Sequence, residues 1–78
     1  MSTVRKLNES ALRGIYDAYM HEAFPPAELK PLAVMLRLME RGRYLCYGYY
    51  RNGRLAAYAF FYRHDSRVLL LDYFAVTP

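Results

Sequence analysis

The dipeptide Asn52-Gly53 sits between two aromatic-rich runs that together extend from Arg43 to Tyr62. Both residues accept positive φ, which a two-residue hairpin turn demands, so the segment predicts strand, tight turn, strand. A two-residue loop also sets the register. Leu45, Tyr47 and Tyr49 are then expected to share one face with Phe60, Tyr58 and Ala56, and Tyr44, Cys46 and Gly48 to share the other with Phe61, Ala59 and Ala57. Both faces are apolar, so a sheet covered on each side is expected.

Upstream, Thr3 to Leu7 predicts a short leading strand. Asn8 is a good N-cap and Glu9 suits a first helical turn, where negative charge meets the helix dipole. Leu12, Ile15, Tyr16, Tyr19, Met20 and Ala23 recur at the spacing of one buried helical stripe, with Arg13, Asp17 and Glu22 elsewhere. Phe24-Pro25-Pro26 ends that helix, because proline lacks an amide hydrogen and restricts the residue before it. Pro31 suits the first turn of a second helix whose apolar face carries Leu32, Met35, Leu36 and Met39, widened by Val34 and Leu38. Gly42 is placed to terminate it. Its methionines read as core filling among leucines.

Downstream, Arg63-His64-Asp65-Ser66 is a polar turn, and Arg67 to Val76 is nearly continuous apolar sequence of the kind found in central strands. The fold class is therefore α+β: a short N-terminal strand, two helices, then a three-stranded antiparallel meander in one domain, residues 1–78. The outer edge of the last strand is unpaired in this arrangement and open to another chain.

Composition narrows the class further. In 78 residues, 55% are apolar, with nine Tyr and four Phe, which is far from a disordered chain. A chain this short buries only roughly 60% of its unfolded surface, so its stability is marginal. No run approaches the roughly 20 apolar residues of a membrane span, and Arg5-Lys6 is not followed by a signal-peptide core; a soluble cytoplasmic protein is expected. Cys46 is the one cysteine and reads as a small buried hydrophobe. With only His21 and His64 beside it, no metal-site spacing exists and no metal is expected. The net charge of +4 is spread over turns and element ends, the mark of a solvated surface.

The closing segment Leu71-Asp72-Tyr73-Phe74-Ala75-Val76-Thr77-Pro78 resembles the fourth strand of the GNAT N-acetyltransferase superfamily, where an apolar strand ending in an Ala-Val-x-Pro-like sequence leads into the acyl-CoA loop. The upstream order fits that placement, with Val4 to Leu7 as first strand and two helices around Phe24-Pro25-Pro26. The resemblance implies an acetyl-CoA-dependent transfer of an acetyl group to an amine acceptor. It also implies that the backbone of Phe74, Ala75 and Val76 lies along the pantetheine arm. The loop at Phe24, Pro25 and Glu28, with Tyr73, is expected to shape the acceptor pocket.

A Gly-rich loop opening a helix normally holds the coenzyme A pyrophosphate, since converging N–H groups suit a diphosphate. Gly14, Gly42, Gly48 and Gly53 are isolated, so the front portion of such a fold, inactive as this chain, is the expectation. The base that some relatives carry on this strand would fall in Leu69-Leu70-Leu71 and is absent. Asp72 is the only acid nearby. On strand alternation it shares a face with Leu70 and Phe74, where it is paired, capped by a turn, or catalytic. Glu28 either binds a cationic amine or faces solvent at a helix start.

Two other functional classes compete. Tyr-rich strands and positive charge are also features of single-stranded nucleic-acid platforms, but no such motif is present and aromatics on both faces point to burial, so nucleic acid is not an expected partner. A non-catalytic interaction module, forming a homodimer through its last strand or an uncovered sheet face, is the alternative to an acetyltransferase segment.

Overall fold

The computed structural model describes all 78 residues. Four strands, β1 (Ser2–Lys6), β2 (Tyr44–Arg51), β3 (Arg54–Arg63) and β4 (Leu69–Val76), form one antiparallel sheet in chain order. Between β1 and β2 the chain makes a helical rod of three consecutive pieces: α1 (Glu9–Ile15), a π-helical turn (Tyr16–Met20) and α2 (His21–Ala23). A second helix, α3 (Leu32–Glu40), then returns the chain to the sheet. The α+β arrangement read from the sequence is the one observed.

Local chemistry sets the boundaries. Asn8 caps α1 by accepting from the Ala11 N–H at 2.9 Å. The leading strand begins one residue earlier than the pattern suggests, at Ser2, and the Leu7 N–H still reaches the Cys46 carbonyl at 2.7 Å. Pro31 is the capping residue of α3 rather than its first helical residue; its ψ of 141° is extended. At the other end Gly42 adopts φ of 72°. Its N–H bonds to the Met39 carbonyl and that of Arg43 to the Leu38 carbonyl, the paired bonds of a Schellman cap. Asp65 closes the β3–β4 turn by accepting from the Arg67 and Val68 amides, which delays β4 to Leu69.

Two bulges decide what the faces contain. Asn52 and Gly53 adopt φ of 52° and 78°, and pair Arg51 with Arg54 as expected. Tyr50 then pairs with Leu55 but Tyr49 with Ala57, so Ala56 is an extra residue on β3. One extra residue exchanges faces beyond it. The expected grouping is thereby overturned: Tyr44, Cys46 and Gly48 lie with Tyr62, Phe60 and Tyr58, and Leu45, Tyr47 and Tyr49 with Phe61, Ala59 and Ala57. The gain is large. The exchange sends Tyr58 and Phe60, 1% and 0% exposed, to the helix side together with Tyr44 and Cys46. A second bulge in β4 pairs Phe60 with Tyr73 and Phe61 with Leu71, leaving Asp72 as the extra residue.

The core lies between the helices and this one face. Leu7, Leu12, Ile15, Met20 and Met35 meet Tyr44, Cys46, Tyr58, Phe60 and Tyr73 there. Met20 and Met35 are wholly buried, as core fillers are, and Met39 is half-buried, whereas Val34 is exposed rather than packed. Cover on both faces is not found. The far face displays Val4, Leu71, Phe74 and Val76 at 57–69% exposure, and β4 is an edge strand, not a central one. The physical reason is connectivity: both helices fall in the single β1–β2 connection and pack on the same side. No helix is long and apolar enough to cross a membrane.

Candidate functional site

The bulge in β4 turns Asp72 toward the helix side, away from the exposed Phe74, and this corrects the shared face expected from simple alternation. Its carboxylate accepts from the buried Tyr44 phenol and is paired with Lys30 Nζ at 2.9 Å. Beside it the Tyr73 hydroxyl donates to the Glu28 carbonyl at 2.6 Å and accepts from the Lys30 amide at 2.8 Å. Tyr16 completes the arrangement by donating to the Lys30 carbonyl at 2.8 Å. Phe24 packs edge-on against the Tyr73 ring, centroids 4.8 Å apart.

Several sequence-predicted residues therefore converge. Phe24, Glu28, Asp72 and Tyr73 gather where the connection from α2 to α3 crosses β4. Glu28 contributes its backbone, while its side chain is exposed, as is Pro25. Phe74 and Val76 project from the far face and Ala75 packs against the core, so these three are joined by backbone alone. Sequence reasoning missed Tyr16, Lys30 and Tyr44. A lysine in a loop and tyrosines inside apolar stripes carry no local signal; only the fold brings them to one carboxylate.

The electrostatics follow from burial. Tyr44 is held far above the ordinary phenol range, first by desolvation and then by its bond to the Asp72 carboxylate. Burial, with Asp72 nearby, pushes the Cys46 thiol up to about 12, so it is a protonated hydrophobe at neutral pH, as expected for a strand cysteine. Asp72 is engaged on both oxygens, by Tyr44 and by Lys30. A carboxylate so occupied suits holding the loop on the sheet better than taking a proton from a substrate. His21 and His64 are exposed, and no three His, Cys, Asp or Glu side chains come together.

Along the outer edge of β4 the backbone groups that do not face β3 have no strand partner. That edge runs from Leu69 to Val76 past the Asp72 bulge. The far face beside it holds an apolar hollow of about 290 Å³ lined by Val4, Tyr47, Tyr49, Ala59, Phe61 and Phe74 among others. Compared with known protein families, curated proteins and solved structures, the chain matches none.

Proposed function

We propose that this chain is the front portion of an acetyl-CoA-dependent N-acetyltransferase fold of the GNAT type. The observation that supports the reading is the open edge of β4. β4 is the last strand of the sheet, so the backbone groups of Tyr73, Phe74, Ala75 and Val76 that do not face β3 are offered to an extended ligand directly beyond the Asp72 bulge. A pantetheine arm carries two amides and pairs with such an edge as an added strand does. A backbone N–H aimed at the thioester oxygen stabilises the charge that develops as an amine attacks. In that reaction the amine nitrogen bonds to the thioester carbon, the C–S bond breaks, coenzyme A leaves as thiolate, and a base takes the ammonium proton.

In this reading Asp72 and Tyr73 are positioning residues: they fix the connection carrying Phe24, Pro25 and Glu28 against β4, where an acceptor amine approaches. The glycines of residues 1–78 are isolated, so phosphate binding adds nothing and full acetyl-CoA gains little over its acetylated arm. The test is S-acetylpantetheine added to the ¹⁵N-labelled chain. Amide shifts confined to Tyr73–Val76, saturating in the millimolar range, are the expected result; no shift up to about 10 mM removes the reading.

The uncovered far face favours a second reading. With Val4, Leu71, Phe74 and Val76 all more than half exposed, the sheet offers an apolar surface for pairing with a second copy through that face or the β4 edge.

A further inference from the structure

The molecule sorts its charges by side. Of the seven acidic residues, Glu9, Asp17, Glu22, Glu28 and Glu40 lie on the helices or the connection between them. Asp65 sits in the β3–β4 turn, engaged by the Arg67 and Val68 amides. The four strands carry one acid, Asp72, and the β4 bulge turns it to the helix side, onto Lys30. The far face of the sheet therefore holds no carboxylate. It does hold cations: Lys6 pairs with Tyr47, Arg51 with Arg54 and Arg63 with Leu69, which places all four on that face by register. None of them has an ion-pair partner.

The centre of the same face is a trough. Two successive rows across the strands set a small residue between two larger ones: Tyr47, Ala59 and Phe74 in one, Tyr49, Ala57 and Val76 in the next. Ala57 and Ala59 thus floor the apolar hollow of about 290 Å³, with Phe61 also in its wall. The strand beneath it, β3, begins at Arg54 and ends at Arg63. At the rise of an antiparallel strand these two cations are roughly 30 Å apart. An α-helix of about 20 residues has that length, and a ridge of its side chains suits a groove between larger ones.

We infer that the far face docks an amphipathic helix of a partner protein. Its apolar stripe seats over Ala57 and Ala59 between Tyr47 and Phe74, and its acidic flanks meet Lys6, Arg63 and the Arg51–Arg54 pair. Charge and shape together select this occupant. Two copies of the face would set cation against cation around the rim with no carboxylate on either side, a juxtaposition that works against pairing. An anionic lipid surface satisfies the cations, but it takes up groups that project from a protein and leaves a hollow without partner atoms. The inference uses neither the β4 edge nor the Phe24–Glu28 connection, so it does not rest on the acetyl-transfer reading.

The test uses two synthetic helical peptides of about 20 residues, built of leucine, alanine and one charged residue. The leucines form a single stripe; its flanks are glutamate in one peptide and lysine in the other. Each is titrated into the ¹⁵N-labelled whole chain at low salt. The glutamate peptide should bind about tenfold more tightly or better, with amide shifts at Tyr47, Ala57, Ala59, Phe61 and Phe74 and none on α1 or α3. Lys6→Gln combined with Arg63→Gln should weaken it, whereas Arg37→Gln combined with Arg41→Gln, the same change in net charge on the helix side, should not. Equal binding of the two peptides to the unaltered chain, shifts on the helices instead, or no binding of the glutamate peptide overturns the inference without recourse to any variant. In the last case, retention of the chain by phosphatidylserine–phosphatidylcholine vesicles assigns the face to a membrane, and a stable dimer in light scattering assigns it to a second copy.

Discussion

Two tyrosines on the helix face of the sheet have hydroxyls in opposite circumstances. Tyr44 donates to Asp72, whereas Tyr58 donates to nothing. Removing them should therefore act with opposite sign. Tyr44→Phe strips a half-buried carboxylate of one of its two side-chain partners and should lower stability by about 1.5 kcal/mol. Tyr58→Phe deletes an unsatisfied group while keeping the ring and should raise it by about 1 kcal/mol. Urea unfolding of both variants beside the parent chain decides the matter, and a loss at Tyr58 would show that its hydroxyl is already satisfied. The same residues set an alkaline limit. Tyr44 and Cys46 are neutral when protonated, and both have folded-state pKa values raised above their ordinary 10.0 and 9.0. The folded chain then keeps protons that the unfolded chain gives up, so stability is full below about pH 9 and falls as pH rises toward about 12. Unfolding midpoints measured across that range should decline, and the decline should be shallower in Tyr44→Phe.

Among the elements, the β2–β3 hairpin shows how far local sequence reaches. Asn52-Gly53 gave a turn at the expected place because both residues tolerate the positive φ it needs, so Gly53→Ala should cost about 1–2 kcal/mol, read from the same unfolding curves. The helices, the Asn8 cap and the Gly42 cap were equally legible, since spacing and capping chemistry are local. The Ala56 and Asp72 bulges were not. Neither residue type marks a bulge, and each is stabilised by what lies beyond the strand: a core that takes Tyr58 and Phe60 together, and a loop that places Lys30 against a carboxylate. The site was legible to the same degree. Asp72, Tyr73 and the Phe24–Glu28 loop were singled out and do converge, yet the partners that hold them, Tyr16, Lys30 and Tyr44, come from three separate elements.

At the scale of the molecule, one sheet face is packed and the other is not. An apolar face of this kind offers a surface for association, and Phe74, on the edge strand β4, lines its hollow together with Tyr47 and Phe61. Phe74→Lys should reduce concentration-dependent self-association in size-exclusion chromatography with light scattering and leave the helix-side core intact; an unchanged mass distribution would count against pairing through this face. Sequence alone determined the element order, the hairpin turn, the helix caps at Asn8 and Gly42 and an α+β class, because turn φ, capping and hydrophobic period are properties of neighbouring residues. Tertiary structure alone decided which strand faces meet the helices, that the second face stays open, and which groups surround Asp72 and Tyr58. The open face follows from both helices lying in the one β1–β2 connection, and the others depend on one-residue shifts in strand register, which are chosen by the packing of distant side chains.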